Sequence, residues 1–249
     1  MQRAAIITGG SHGLGLETAR QFVSAGARVA ILDIASPAPE DLDRMEFHCV
    51  DLGDSRRVPE VFARALESMG RIDCLVNNVG VAGPAAAVEA IALADWQATL
   101  RVNLDGAFIC CQLALPVMKA AGAGSIVNIT TSSVHTSPPS RAAYVSSKAA
   151  LEALTKVIAR EAGPSGVRAN NVRPGAMNNE RLNQVMSRVA LREGKSQPEI
   201  EQAMLQYISM RTKVSMEDVA SIVMYLCSDA GKHITGQTIA VDAGFEWEI

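Results

Sequence analysis

The sequence predicts a Rossmann-like, doubly wound α/β fold: a mainly parallel seven-stranded sheet with helices on both faces. Three observations predict it. Short apolar runs alternate with longer stretches of helical period along the chain, the first run opens into a glycine-rich turn, and the second ends on an acid.

The strand runs are 4–8, 27–33, 46–50, 74–77, 125–129, 168–172 and 238–241, and the helical stretches 13–24, 55–69, 96–121, 144–162 and 216–227 fall between them. Strands separated by helix-length crossovers pair in parallel and need cover on both faces. No repeat or low-complexity linker divides the chain, so residues 1–249 are read as a single dinucleotide-binding and catalytic domain. Residues 176–214, rich in Asn, Arg, Glu and Gln, interrupt the rhythm. They leave the carboxyl end of a late strand, where open α/β sheets bind ligands, and are expected to form a helical, mobile, substrate-covering lobe.

Composition narrows the partners. With 48% apolar and 20% charged residues, 249 residues can bury a large core and do not read as disordered. A net charge of −3 with scattered Lys and Arg gives no general attraction to nucleic acid or anionic lipid. Five cysteines, an odd set without a CxxC pair, suit a reduced compartment. The first apolar run is too short for a signal peptide core or a membrane span, so a cytoplasmic location is expected, and no metal-ligand set stands out. Residues 104–121 are nearly all apolar or small, and the charges of 144–162 gather on one stripe, Lys148, Glu152, Lys156 and Arg160. Such helices need a second burial partner, either the lobe or another copy in a homo-oligomer, dimer or tetramer.

The turn Gly9-Gly10-Ser11-His12-Gly13-Leu14-Gly15 lies between the first strand and an amphipathic helix. Glycines there let backbone N–H groups approach a pyrophosphate, whose charge the helix terminus favours. Asp33 closes the second strand eighteen residues beyond Gly15, near the place where an acid meets the adenosine ribose hydroxyls. A carboxylate there repels a 2′-phosphate, and His12 stands where a Lys or Arg would favour NADP. NAD is the expected cofactor.

These segments, together with Asp51-Leu52, Asn77-Asn78-Val79-Gly80, Asn103, Tyr144-Val145-Ser146-Ser147-Lys148, Arg173-Pro174-Gly175, Thr235-Gly236-Gln237 and Val241-Asp242-Ala243-Gly244, resemble the short-chain dehydrogenase/reductase family over essentially the whole chain. The resemblance implies that Asp51 and Leu52 lie near the adenine, that Asn78 and Gly80 form the turn beside the adenosine ribose, and that Asn103 holds a relay water. It places Pro174 and Gly175 beside the nicotinamide. Where the family commonly continues with a Thr that contacts the amide, this chain has Ala176-Met177-Asn178-Asn179, and Asn179 is the candidate replacement.

The chemistry explains the motif. Oxidising an alcohol requires its hydroxyl proton to leave, and a Tyr of pKa about 10 is a poor base at neutrality. Lys148, four residues after Tyr144, shares its helix face, so its ammonium can favour the phenolate and reach the nicotinamide ribose. Lowering the Tyr pKa by about three units takes roughly 4 kcal/mol, a magnitude that a cation in a partly desolvated cleft can supply. A hydroxyl should also polarise the substrate oxygen. Counting thirteen residues back from Tyr144, the family's spacing, lands on Thr131; Ser132, one further along, carries the family's usual side chain and is preferred, with Thr131 kept open.

The lobe contains Arg181, Arg188, Arg192 and Arg211, and an inward-facing one would favour an anionic substrate. The leading reading is an oxidoreductase acting on a small alcohol or ketone. An NAD-retaining epimerase or dehydratase and a catalytically silent NAD-binding regulator stay open beside it.

Overall fold

The computed structural model describes residues 3–246, with only the backbone of Arg181. Its seven strands are β1 Ala4–Thr8, β2 Arg28–Asp33, β3 Glu46–Cys49, β4 Cys74–Asn77, β5 Gly124–Ile129, β6 Val167–Pro174 and β7 Thr238–Val241. They form one sheet in the order β3-β2-β1-β4-β5-β6-β7, and every pairing is parallel rather than most of them. The order reverses between β1 and β4, which opens a crevice at their carboxyl ends.

The helices are α1 Gly13–Ser24, α2 Pro39–Leu42, α3 Arg57–Met69, α4 Leu93–Leu100, α5 Gly106–Ala121, α6 Ser133–Thr136, α7 Ala142–Ala162, α8 Glu180–Glu193, α9 Gln197–Leu205 and α10 Met216–Cys227. The α3 helix starts two residues after the expected 55 because Asp54 Oδ1 accepts the N–H groups of Arg56 and Arg57 and ends the preceding turn. The stretch expected at 96–121 comprises α4, a π-helical turn at Arg101–Asp105, and α5. Residues 93–121 have the length and apolarity of a membrane span; within them Cys110, Cys111, Ala114 and Met118 are buried against α3 and the sheet.

Alternation along β1 divides the core. Ala4 and Ile6 pack beneath α3, α5 and α7 with Phe62, Met118 and Ile158, while Ala5 and Ile7 pack beneath α1 and α10 with Phe22, Val223 and Leu226. Apolar residues on both strand faces therefore reflect helices on both sides, not a helical period. The 176–214 segment departs from the end of β6 as expected and carries α8 and α9, with a small cluster of Met186, Ala190 and Ile200.

One polar ladder fixes where α7 sits. Asn77 Nδ2 donates to Asn128 Oδ1 at 2.8 Å, Asn128 Nδ2 donates to Thr155 Oγ1 at 2.8 Å, and Thr155 Oγ1 donates to Asn171 Oδ1 at 2.6 Å. Asn171 Nδ2 completes the row with Thr238 Oγ1 at 3.1 Å. Asn128, Thr155 and Asn171 have no exposed surface, so sliding α7 along the sheet would strand buried amides, each at about 1–3 kcal/mol.

Four cysteines, Cys74, Cys110, Cys111 and Cys227, are buried, while Cys49 is exposed at the edge of the sheet. Burial raises the Cys111 thiol to about 12 and pushes Cys110 higher still. An aromatic disulfide reagent at pH 8 should therefore label Cys49 within minutes and leave Cys110 and Cys111 unlabelled until denaturant is added. Prompt labelling of either would contradict this packing.

Candidate active site

The turn between β1 and α1 is shaped for close approach. Gly9 and Gly13 hold left-handed backbone at φ 64° and 58°, and a Cβ at Gly15 would collide with the Gly9 carbonyl. Leu14 is buried beneath the turn. His12 is exposed at the N-cap of α1 and its side chain makes no capping bond, so the first-turn N–H groups point outward unmet by a side chain. Ser11 Oγ is buried without a hydrogen-bond partner. An orphaned donor beside a glycine cradle and a helix N-terminus fits a dinucleotide pyrophosphate.

Asp33 lies at the end of β2, 5% exposed. Its Oδ2 accepts from Ser11 N at 3.0 Å, and its Oδ1 from Ile34 N at 2.7 Å and Ala35 N at 3.5 Å, which leaves a lone pair on Oδ2. Asp33 thus braces the Gly9–Gly15 turn. Asn78 does the same from β4: its Nδ2 donates to Gly9 O at 2.9 Å and its N–H to Thr8 Oγ1 at 3.0 Å. Asp51 is exposed and accepts from Gly53 N, whereas the Leu52 side chain belongs to the core, so only its backbone can meet an adenine. The exposed Ile34, next to Asp33, offers an apolar wall for a flat ring.

Lys148 is 2% exposed, and its ammonium donates to Ile129 O at 2.9 Å and Val79 O at 3.3 Å. The ends of β4 and β5 thereby hold the lysine one helical turn from Tyr144. Gly80 makes room: a Cβ there would stand 3.1 Å from Lys148 Nζ. Asn103, fully buried in the π-helical turn, clasps the next residue, its Oδ1 accepting from Val81 N at 2.7 Å and its Nδ2 donating to Val81 O at 3.0 Å. The other Nδ2 hydrogen reaches Ser147 Oγ at 3.0 Å, and Ser147 donates to the Tyr144 carbonyl at 2.8 Å. The Asn103 side chain is thus a brace for α7. Ser147 gave no separate signal in the sequence.

The two hydroxyl candidates separate. Ser132 is 1% exposed, and its Oγ donates to Asp242 Oδ2 at 3.1 Å. Thr131 is half-buried; its Oγ1 donates to the neighbouring Ser133 hydroxyl at 3.3 Å and accepts from Ser133 N at 3.3 Å, and it is the candidate closer to solvent. Pro174 accepts from Ser132 N, and Gly175 is packed so closely that a Cβ would meet Asp242 Cβ at 2.6 Å. Asn179 caps α8, its Oδ1 accepting from Leu182 N at 2.9 Å.

Arg188, Arg192 and Arg211 of the lobe are exposed, and the Arg181 side chain lies outside the described residues. Sequence reasoning missed Arg141, whose guanidinium carbon stands 4.9 Å from the centre of the Tyr144 ring. The loop that delivers it contains Ser137 and Ser140 at φ 49° and 61°, strained backbone for residues with side chains. Two other concavities, about 160 and 260 Å³, lie away from this edge and contain no tyrosine.

A parallel sheet with a glycine cradle at its switch point and a Tyr–Lys helix beside it defines a nicotinamide-dependent oxidoreductase. Comparisons with known proteins agree. A family model described as enoyl-(acyl carrier protein) reductase matches residues 9–246. The chain is 32% identical to 2-(R)-hydroxypropyl-CoM dehydrogenase of Xanthobacter autotrophicus, with 98% of this chain and 99% of that protein aligned. It is also 32% identical to 7alpha-hydroxysteroid dehydrogenase of Escherichia coli, over 97% and 93% of the two chains. Among solved structures, an NAD+-bound xylitol dehydrogenase superposes with a TM-score of 0.89 at 25% identity, over 97% of this chain and 98% of that one. The chain belongs to the short-chain dehydrogenase/reductase family.

Crowding at Lys148 makes a direct test. Gly80→Ala should displace the ammonium by a few tenths of an ångström and lower kcat about tenfold or more, with a melting temperature within a few degrees of wild type. Unchanged kcat would show that the lysine position is not critical.

Proposed function

We propose that the protein transfers a hydride between NAD and a secondary alcohol or ketone, with Tyr144 moving the proton. The observation that carries this is the buried Lys148 ammonium, fixed by the ends of two central strands one turn from Tyr144. When bound, the nicotinamide supplies the hydride acceptor or donor. The residues that would hold it are the Gly9–Gly15 turn, Asp33, Lys148 and the Pro174-Gly175 turn.

In the oxidising direction Tyr144 takes the alcohol proton, and the Lys148 charge favours the phenolate that receives it. Thr131, rather than Ser132, presents the hydroxyl that polarises the substrate oxygen, because Ser132 is buried against Asp242 whereas Thr131 is part-exposed and bonded only to its neighbour Ser133. Asp33 selects NAD over NADP by charge repulsion. An anionic group on the substrate would be met by Arg141, the arginine placed against the Tyr144 ring. Relatives named for hydroxypropyl-CoM, hydroxysteroid and D-beta-hydroxybutyrate are consistent with a secondary alcohol centre. Phe108 and Val157, exposed on α5 and α7, support a homo-oligomer built on these helices, and the reduced cysteines support a cytoplasmic setting. No observation favours the epimerase, dehydratase or regulatory readings.

The experiment is a panel of alcohols and ketones, neutral and anionic, followed by nicotinamide absorbance with NAD and NADP in parallel. Wild type should turn over members of the panel with an NAD preference of about 10²-fold, and Tyr144→Phe should lower kcat about 10²–10⁴-fold while cofactor affinity holds. NADP preference would overturn the role of Asp33, and full activity in Tyr144→Phe would overturn the base. Within the same assay, Thr131→Val should lower kcat more than tenfold and Ser132→Ala less than threefold, by about the margin that separates a polarising donor from a bystander. The reverse order would restore Ser132.

A further inference from the structure

Glu152 stands two turns beyond Tyr144 and one beyond Lys148 on α7, and no step above uses it. It is 12% exposed and forms a two-pronged ion pair with Arg173, Nε to Oε1 at 3.1 Å and Nη2 to Oε2 at 2.8 Å. Its Oε1 also accepts from Thr130 Oγ1 at 3.0 Å. Thr130 immediately precedes Thr131, and Arg173 immediately precedes the Pro174-Gly175 turn. One carboxylate therefore grips the residue before the substrate hydroxyl and the residue before the nicotinamide turn.

The register shows why this point matters. Thr155 on α7 meets Asn128 and Asn171; Glu152, three residues earlier, meets Thr130 and Arg173, each two residues farther along its strand. Helix and strands run in opposite directions, so successive α7 side chains climb toward the strand ends, and the next position on the face, Lys148, holds Ile129 O at the end of β5. Glu152 is the last rung below the reacting groups. The Thr155 rung is fully buried and the Glu152 rung is partly open, with Arg173 22% exposed, so it can be altered without emptying the core.

Resting on the oxidoreductase reading, we infer that Glu152 is a positioning residue: through Thr130 and Arg173 it sets the substrate hydroxyl and the nicotinamide turn at fixed places relative to Tyr144 and Lys148. A pair that merely stabilised the fold would affect all parts of the site alike. A positioning pair affects the nicotinamide half of the cofactor and leaves the adenosine half, held by Asp33 and the Gly9–Gly15 turn, untouched.

The test compares NADH with ADP-ribose, which lacks the nicotinamide, by titration against wild type, Glu152→Gln and Glu152→Ala. The gentler Gln change keeps the volume and guards against a folding failure in Ala. NADH affinity should fall about tenfold in Glu152→Ala, and less in Glu152→Gln, with ADP-ribose affinity changed less than twofold. Arg173→Gln should reproduce this loss, whereas Thr130→Val should spare NADH binding. Equal losses for the two ligands, or no loss for NADH in properly folded variants, would overturn the inference. On an alcohol that the wild type oxidises, Glu152→Gln should lower kcat and raise the primary deuterium isotope effect; a lower kcat with an unchanged isotope effect means a reduced active fraction and counts against positioning. If Glu152→Ala separates NADH from ADP-ribose but no alcohol is oxidised, the positioning role stands and the assigned reaction fails.

Discussion

The site depends on one constraint: a buried ammonium must have its donors met. Lys148 satisfies two of them with the carbonyls of Val79, two residues past the end of β4, and Ile129, the last residue of β5. A charge in that position is costly unless fully solvated by the protein, so the chain ends of two central strands and the face of α7 are tied to a common point. Gly80 is small because the ammonium occupies the space a side chain would need. Asn103 then clasps Val81, which fixes the segment that follows.

From that point the rest of the architecture reads as support for α7. The ladder from Asn77 to Thr238 fixes the helix across four strands, Ser147 ties its backbone to Asn103, and Glu152 carries the ties up to the strand ends. The strained loop at Ser137 and Ser140 then brings Arg141 over the Tyr144 ring. Rigid elements position the proton-transfer groups, while the lobe of α8 and α9 packs around its own small clusters.

Much of this was legible before any coordinates. The seven strands appeared as apolar runs because a parallel sheet buried on both faces has no polar side to interrupt them. The glycine turn, Asp33 and the Tyr144–Lys148 spacing were readable because each is local in sequence. What escaped were contacts between distant segments and departures from regular backbone. The π-helical turn at Arg101–Asp105 has no compositional mark, and the hydrogen bond from Ser132 to Asp242, 110 residues away, could not be read from either segment. The cap that Asn179 makes on α8 also escaped, because the start of that helix had no fixed boundary in the sequence. The Glu152–Arg173 pair was not readable either, since nothing in either segment announces the other.

At the centre of this account stands the Lys148 charge acting on Tyr144, and the pH dependence of alcohol oxidation by Lys148→Met reads it most directly. A positive charge beside the phenol favours its ionised form. Its removal should move the acid limb of the kcat profile to higher pH. A profile that keeps its wild-type position, merely scaled down in rate, would contradict the account.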